Sequence, residues 1–192
     1  MDARDAGEVL ADIREHGAKY IALLIAALAA LLAVVEMTGG NAEQDALKAN
    51  VDASNLWSFY QAKTIRQTTL RTEAERLELD MVAMPPPQAE AARKRLEAWR
   101  GTIDRYESEP ATSEGRKELM SRAKAAEGVR DHALAVDNML DIAAAALQLA
   151  IVLSSASVVI SIAWLAWAGG TLGLVGLVFA LLGWLAPTLI SL

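Results

Sequence analysis

The chain has 192 residues, a formal net charge of −6, no cysteine, and 54% hydrophobic residues of which few are aromatic. That composition excludes disulfides, thiolate metal sites and thiol nucleophiles, and its acidic balance lacks the basic stripe of a nucleic-acid binder. The apolar excess is Ala, Leu, Ile and Val, gathered in three nearly charge-free stretches, which predicts an integral membrane protein with the lipid bilayer as its first partner.

Residues 1–19 form an acidic tail, expected to be partly helical, in which Arg4, Arg14 and Lys19 stand against Asp2, Asp5, Glu8, Asp12 and Glu15. A cleavable signal peptide starts with a short basic region, so this acidic start favours a retained anchor. Residues 20–38 are the first predicted transmembrane helix. Tyr20 to Val35 carries no charge, and Lys19 and Glu36 flank it where they can snorkel, giving the roughly 20 residues needed to cross about 30 Å of hydrocarbon. The basic residues of the tail outnumber Lys48 and Arg130 near the other membrane junctions, which favours a cytoplasmic N-terminus and an extracytoplasmic middle region, 39–141.

The middle region opens at Gly39-Gly40, a candidate helix break. From Ala42 the positions Ala46, Ala49, Ala53, Leu56, Tyr60, Lys63, Gln67, Leu70, Ala74, Leu77, Met81 and Met84 step alternately by four and three. This heptad seam predicts a long outward helix over 42–84, ended by Pro85-Pro86-Pro87. The pattern returns over 89–109, pauses at Pro110, and resumes over 113–141 in one register that continues into the membrane. At about 1.5 Å per residue the outward helix covers roughly 64 Å and the two return pieces about 31 and 43 Å. The expected fold is therefore an all-α membrane protein with three transmembrane helices and a long extramembrane antiparallel helical hairpin, a coiled-coil-like stalk, between the first and second. A squat three-helix bundle, with a break near Lys63 to Thr69, is the other packing these lengths allow.

Lys63 and Gln67 occupy seam positions that are apolar elsewhere, beside Tyr60 and before Leu70 and Leu77. Polar seam residues cost stability and are used to set register or oligomer number, to face a solvated space, or to line a ligand site. Around them, Trp57, Tyr60, Gln61, Ala62, Lys63 and Ile65 spell W-x-x-Y-Q-A-K-x-I. This motif, with one anchor, a charged helical middle and two closely spaced C-terminal membrane helices, resembles the bacterial membrane-protein family catalogued as domain of unknown function number 4337. The resemblance implies a bacterial inner-membrane location and assigns no activity. Family members often carry a His-rich tail and a basic link between the last two helices, whereas this tail has His16 alone and this link is Gly169-Gly170.

Residues 142–168 and 171–192 are the second and third predicted transmembrane helices. The seam continues in the second as Ala150, Ser154, Ser157 and Ser161, and the third carries Gly173, Gly176, Ala180 and Gly183 at matching spacing. Small residues permit close helix packing within or between subunits, and a serine-lined pore is the sharper reading. No Asp, Glu, Lys, Arg or His lies inside Tyr20 to Val35 or the two later spans, which argues against coupled transport. Glu36, Asp45, Asp52, Asp137 and Asp141 collect at membrane junctions, and Trp164, Trp167 and Trp184 suit interfacial anchoring. His16 and His132 lack partners in metal-ligand spacing, and phosphate-loop, G-x-S-x-G and H-E-x-x-H motifs are absent; the expectation is no catalytic residue, no cofactor and no metal. The expected function is a non-enzymatic homo-oligomeric scaffold, with an oligomeric ion pore or an accessory subunit of a larger membrane complex as alternatives.

Overall fold

The computed structural model describes the backbone of residues 3–189 and the side chains of residues 17–189. The side chains of residues 1–16 of the acidic tail, His16 among them, and the last three residues of the third predicted span lie outside the described residues. Four helices make up the described chain: α1 (Ala3–Met81), α2 (Pro86–Glu107), α3 (Arg116–Ile160) and α4 (Ala163–Leu185). α1, α3 and α4 are long and apolar enough to cross a membrane. Contacts divide the chain into a polar unit, Leu47–Arg130, and an apolar unit formed by Met1–Ala46 with Asp131–Leu192.

α1 runs through Gly39-Gly40 without a break, contrary to the expectation. A glycine costs about 1 kcal/mol of helix propensity, which tertiary contact offsets: Gly39 is buried against Leu140, between the buried Val35 and Ala46. The helix stops at Met81 rather than Met84, tightening through Val82 N–H to Leu79 O, Ala83 to Asp80 O and Met84 to Met81 O (3.2–3.3 Å). Pro86 and Pro87 then occupy the first turn of α2, where a missing N–H leaves no helical bond unmade.

In the polar unit, Ala49, Ala53, Lys63, Gln67 and Ala74 are buried, and Leu56, Tyr60, Leu70 and Leu77 are half-buried. The seam read from the sequence is thus the face that α1 turns toward its own chain. Ala92, Leu96 and Ile103 of α2 and Leu119 and Ala123 of α3 are buried with it. Pro110 falls in the connection between α2 and α3, as expected.

In the apolar unit the core consists of Leu28 and Val35 of α1, Leu140, Ala143, Leu147 and Ala150 of α3, and Ala180 of α4. The break between the last two helices is at Ser161-Ile162, not at Gly169-Gly170. Ser161 adopts a left-handed backbone (φ 58°), and Ser157 Oγ–H closes the turn on Ile162 O at 3.0 Å. Ser161 is therefore an exposed turn residue, not the packing residue it was expected to be. The glycines instead sit inside α4 and set how closely it approaches its neighbours. A Cβ on Gly176 would lie 2.8 Å from Leu147 Cγ and 3.1 Å from Ala143 O. One on Gly173 would lie 2.7 Å from a Leu28 methyl, and one on Gly169 would lie 2.9 Å from Ala150 O. Gly183 has slightly more room, 3.1 Å from Leu140 and 3.2 Å from Met139.

Ser154, fully buried at this crossing, has a hydroxyl with no hydrogen-bond partner. An unmade buried bond costs about 1–3 kcal/mol, and overpacking a tight crossing costs a similar amount. Gly176→Val should therefore lower the thermal midpoint of the detergent-purified protein, while Ser154→Ala should leave it unchanged or raise it. A destabilising Ser154→Ala would mean that the hydroxyl has a partner.

Candidate functional site

The richest constellation of polar side chains lies inside the polar unit, where Tyr60, Lys63, Thr64 and Gln67 of α1 meet the end of α2 and the start of α3. These four recur at three- and four-residue spacing, so one face of α1 presents them together. Arg116, the first residue of α3, is the hub. Its Nη1 donates to Gln67 Oε1 at 2.7 Å and to Glu107 Oε2 at 2.8 Å. Its Nε donates to Thr64 Oγ1 at 2.9 Å and its Nη2 to the Tyr60 hydroxyl at 3.0 Å, with the guanidinium carbon 5.0 Å from the Tyr60 ring centre.

Gln67 is 1% exposed, and its amide is fully used: Nε2 donates to Ile103 O and to Glu107 Oε2, both at 3.1 Å. A buried amide with both ends paired selects one register, because a slip by one residue strands it. Lys63, 5% exposed, lies 3.7 Å from Glu109 and 3.9 Å from Glu114. Its ammonium also stands 5.2 Å from the Phe59 ring centre and 5.6 Å from that of Tyr106, close enough for cation–π attraction. Trp57 donates its indole N–H to Glu127 at 2.8 Å and meets the Tyr60 ring edge-on at 5.5 Å.

The α2–α3 connection is built around this hub. Glu118 accepts Ser108 Oγ–H at 2.6 Å and the Glu109 N–H at 3.1 Å. Ser113, with φ 56°, donates its N–H to Glu109 O at 2.9 Å. At Gly115 a Cβ would come within 2.6 Å of Ser108 Cα, so only glycine fits. The hydrogen bond from Gln67 first, and then the Arg116 charge, hold the Glu107 carboxyl below the usual carboxylate range against the opposing effect of burial. Ser108 does the same for Glu118.

A second cluster lies in the apolar unit, where Glu36, Glu43, Asp137 and Asp141 line a cleft beside Gly39 and Gly40. Burial, followed by the nearby Asp141 and Glu43 carboxylates, pushes the Asp137 carboxyl up. Glu36 accepts a hydrogen bond from Gln148 Nε2 at 3.1 Å. Of the five junction acids singled out in the sequence, Glu36, Asp137 and Asp141 line this cleft, and Asp45 and Asp52 do not. Among the described residues no group of three or more His, Cys, Asp or Glu has the geometry of a metal site.

Tyr60, Lys63 and Gln67 are thus brought together, with Leu70 and Leu77 farther along the same seam. Ala150, Ser154 and Ser157 form a separate set, buried among the helices of the apolar unit, as are Gly173, Gly176 and Gly183. Of the family-like motif, Trp57, Tyr60 and Lys63 enter the network, whereas Gln61, Ala62 and Ile65 are exposed. Sequence reasoning missed Arg116, Glu107 and Thr64. Arg116 follows an interrupted pattern at the start of a helix, where no periodicity marks it.

Three outcomes test this geometry. Arg116→Met should lower stability by about 1–3 kcal/mol, the worth of charge-assisted bonds to partly buried partners, whereas Lys94→Met, at an exposed pair, should be nearly silent. For Glu107 the folded-state pKa is depressed, so its stabilisation is present above the unfolded value, about 4.3, and is lost as pH falls through the folded value. Glu107→Gln should remove that acid-side loss in a pH series of thermal midpoints. For Asp137 the folded-state pKa is raised, so the charged form is disfavoured at neutral pH; Asp137→Asn should raise the midpoint at pH 7, and the gain should shrink as pH falls through the raised pKa.

No curated protein and no solved structure matches the chain. The family described as Domain of unknown function (DUF4337) matches it over residues 17–186. That match spans most of the apolar unit and all of the polar network with its connecting loop, and the chain belongs to this family.

Proposed function

We propose that the protein is a non-enzymatic, homo-oligomeric scaffold of the bacterial inner membrane, with its N-terminus cytoplasmic and the polar unit projecting from the opposite face. The observation that carries this reading is the internal network. Arg116, Gln67 and Glu107 spend their hydrogen bonds and charges on one another, and Lys63 pairs with Glu109 and Glu114, which is the arrangement of a brace rather than of groups aimed at a substrate.

In this reading the polar unit is an antiparallel helical hairpin with its tip at Pro85-Pro87. Cross-contacts support it: Glu78 pairs with Arg100, Gln67 with Ile103, Tyr60 with Arg116 and Trp57 with Glu127. Residue numbers fall on α1 as they rise on α2 and then α3, the sign of an outgoing arm and a returning arm broken at Pro110. Self-association is supported by the large apolar side chains that the polar unit leaves exposed, among them Ile65, Leu79 and Val82.

For the pore alternative, Ser154 and Ser157 are buried within the single chain, so nothing favours a serine-lined path between copies. In a mild detergent the purified protein should have the mass of more than one chain by light scattering, with the detergent contribution subtracted. A monomer would remove the homo-oligomeric reading and leave that of an accessory subunit.

A further inference from the structure

The helix that carries the polar network on one face carries a second stripe on the opposite face. Positions Val51, Ser58, Ile65 and Thr72 of α1 are each seven residues apart, and all are exposed. Leu47, Ser54, Gln61 and Thr68 interleave with them at steps of four and three, also exposed. Over these 26 residues the stripe contains no charge. The other exposed faces of the polar unit are charged, with Arg93, Glu97 and Asp104 on α2 and Lys117, Arg122 and Lys124 on α3.

The threonines make the stripe more apolar than its composition suggests. Thr68 and Thr72 of the stripe, and Thr64 and Thr69 along its edges, each donate their hydroxyl to the carbonyl four residues earlier, at 2.8–3.1 Å. Their polar atoms are thereby satisfied within α1, and the γ-methyl is the branch left free. With Ile65, and with Glu73 at its end, these residues line a shallow groove along the helix, the shape that receives a knob from a facing helix. Leu47, Val51 and Ile65 are 58%, 56% and 67% exposed, so more than half of each is left uncovered by its own chain.

We infer that this stripe is the interface with a second copy of the same chain, packed in parallel and in register, an inference that rests on the homo-oligomeric reading above. Three features select that occupant. The exact seven-residue repeat is self-complementary about a two-fold axis parallel to the helices, placing Ile65 opposite Ile65. β-Branched Val51 and Ile65 at two of the four repeating positions, with Ser58 and Thr72 at the others, favour two-stranded parallel packing. The third is size. A stripe about 39 Å long and about 10 Å wide covers on the order of 400 Å² per copy, short of the roughly 800 Å² per partner that a stable interface between freely diffusing proteins buries. The stripe therefore suits partners already held in one bilayer with one orientation, and copies of a membrane-anchored chain meet that condition, bringing equal residues level.

Because the chain has no cysteine, single cysteines report the interface directly. Full-length protein carrying Ser58→Cys or Ile65→Cys, reconstituted in phospholipid vesicles and treated with a mild oxidant, should form a covalent dimer. Arg93→Cys, on the exposed face of α2, should not, and adding Ile65→Lys to Ser58→Cys should abolish the crosslink. Equal crosslinking at all three sites, or none at positions 58 and 65, overturns the inference. Light scattering on the same preparations separates the two claims: an oligomer without these crosslinks removes this interface alone, and a monomer removes both.

Discussion

Packing in the polar unit turns on how one guanidinium is held. Arg116 stands where three helical segments converge, and each neighbour supplies what a fixed fork of N–H donors requires: an amide and a hydroxyl from α1, a carboxylate from α2, and a phenol beneath it. Arginine suits this position because its donors diverge in one plane and its charge cannot be titrated away, so the loop between α2 and α3 is held at one height along α1. Lysine could not make these bonds together. The buried Gln67 adds directionality, since it reads Ile103, Glu107 and Arg116 at once.

The apolar unit is built on the opposite principle. Its core helices meet through apolar side chains, and lipid supplies little hydrophobic drive for helix to approach helix. Close approach then depends on missing atoms, the Cβ positions that Gly169, Gly173 and Gly176 lack. The unpartnered hydroxyl of Ser154 marks where such packing is tightest and least adjustable. One unit is thus specified by bonds it makes, the other by volume it omits.

Much of this was legible in the sequence, and the exceptions have physical causes. The heptad seam identified the buried face of α1 because periodicity records which side of a helix is covered. It could not say by what, and much of that cover comes from α2 and α3. Lys63 and Gln67 stood out as polar residues in an apolar register, yet their partners were hidden: Glu107 and Arg116 lie beside a loop, where tertiary geometry rather than period brings them in. Gly169-Gly170 reads in the sequence as the link between the last two helices because glycine serves both for turning a chain and for letting helices touch, and composition does not distinguish those uses. The true turn, at Ser161, uses a left-handed serine closed by Ser157, for which an apolar sequence gives no cue.

The central claim is that Arg116 and Gln67 act as one brace. A double-mutant cycle on the full-length protein, comparing Arg116→Met, Gln67→Leu and the double variant by denaturant or thermal unfolding, tests it most directly. The account predicts a double variant distinctly less destabilised than the sum of the singles, with a coupling energy on the order of 1–3 kcal/mol. Strict additivity would contradict it.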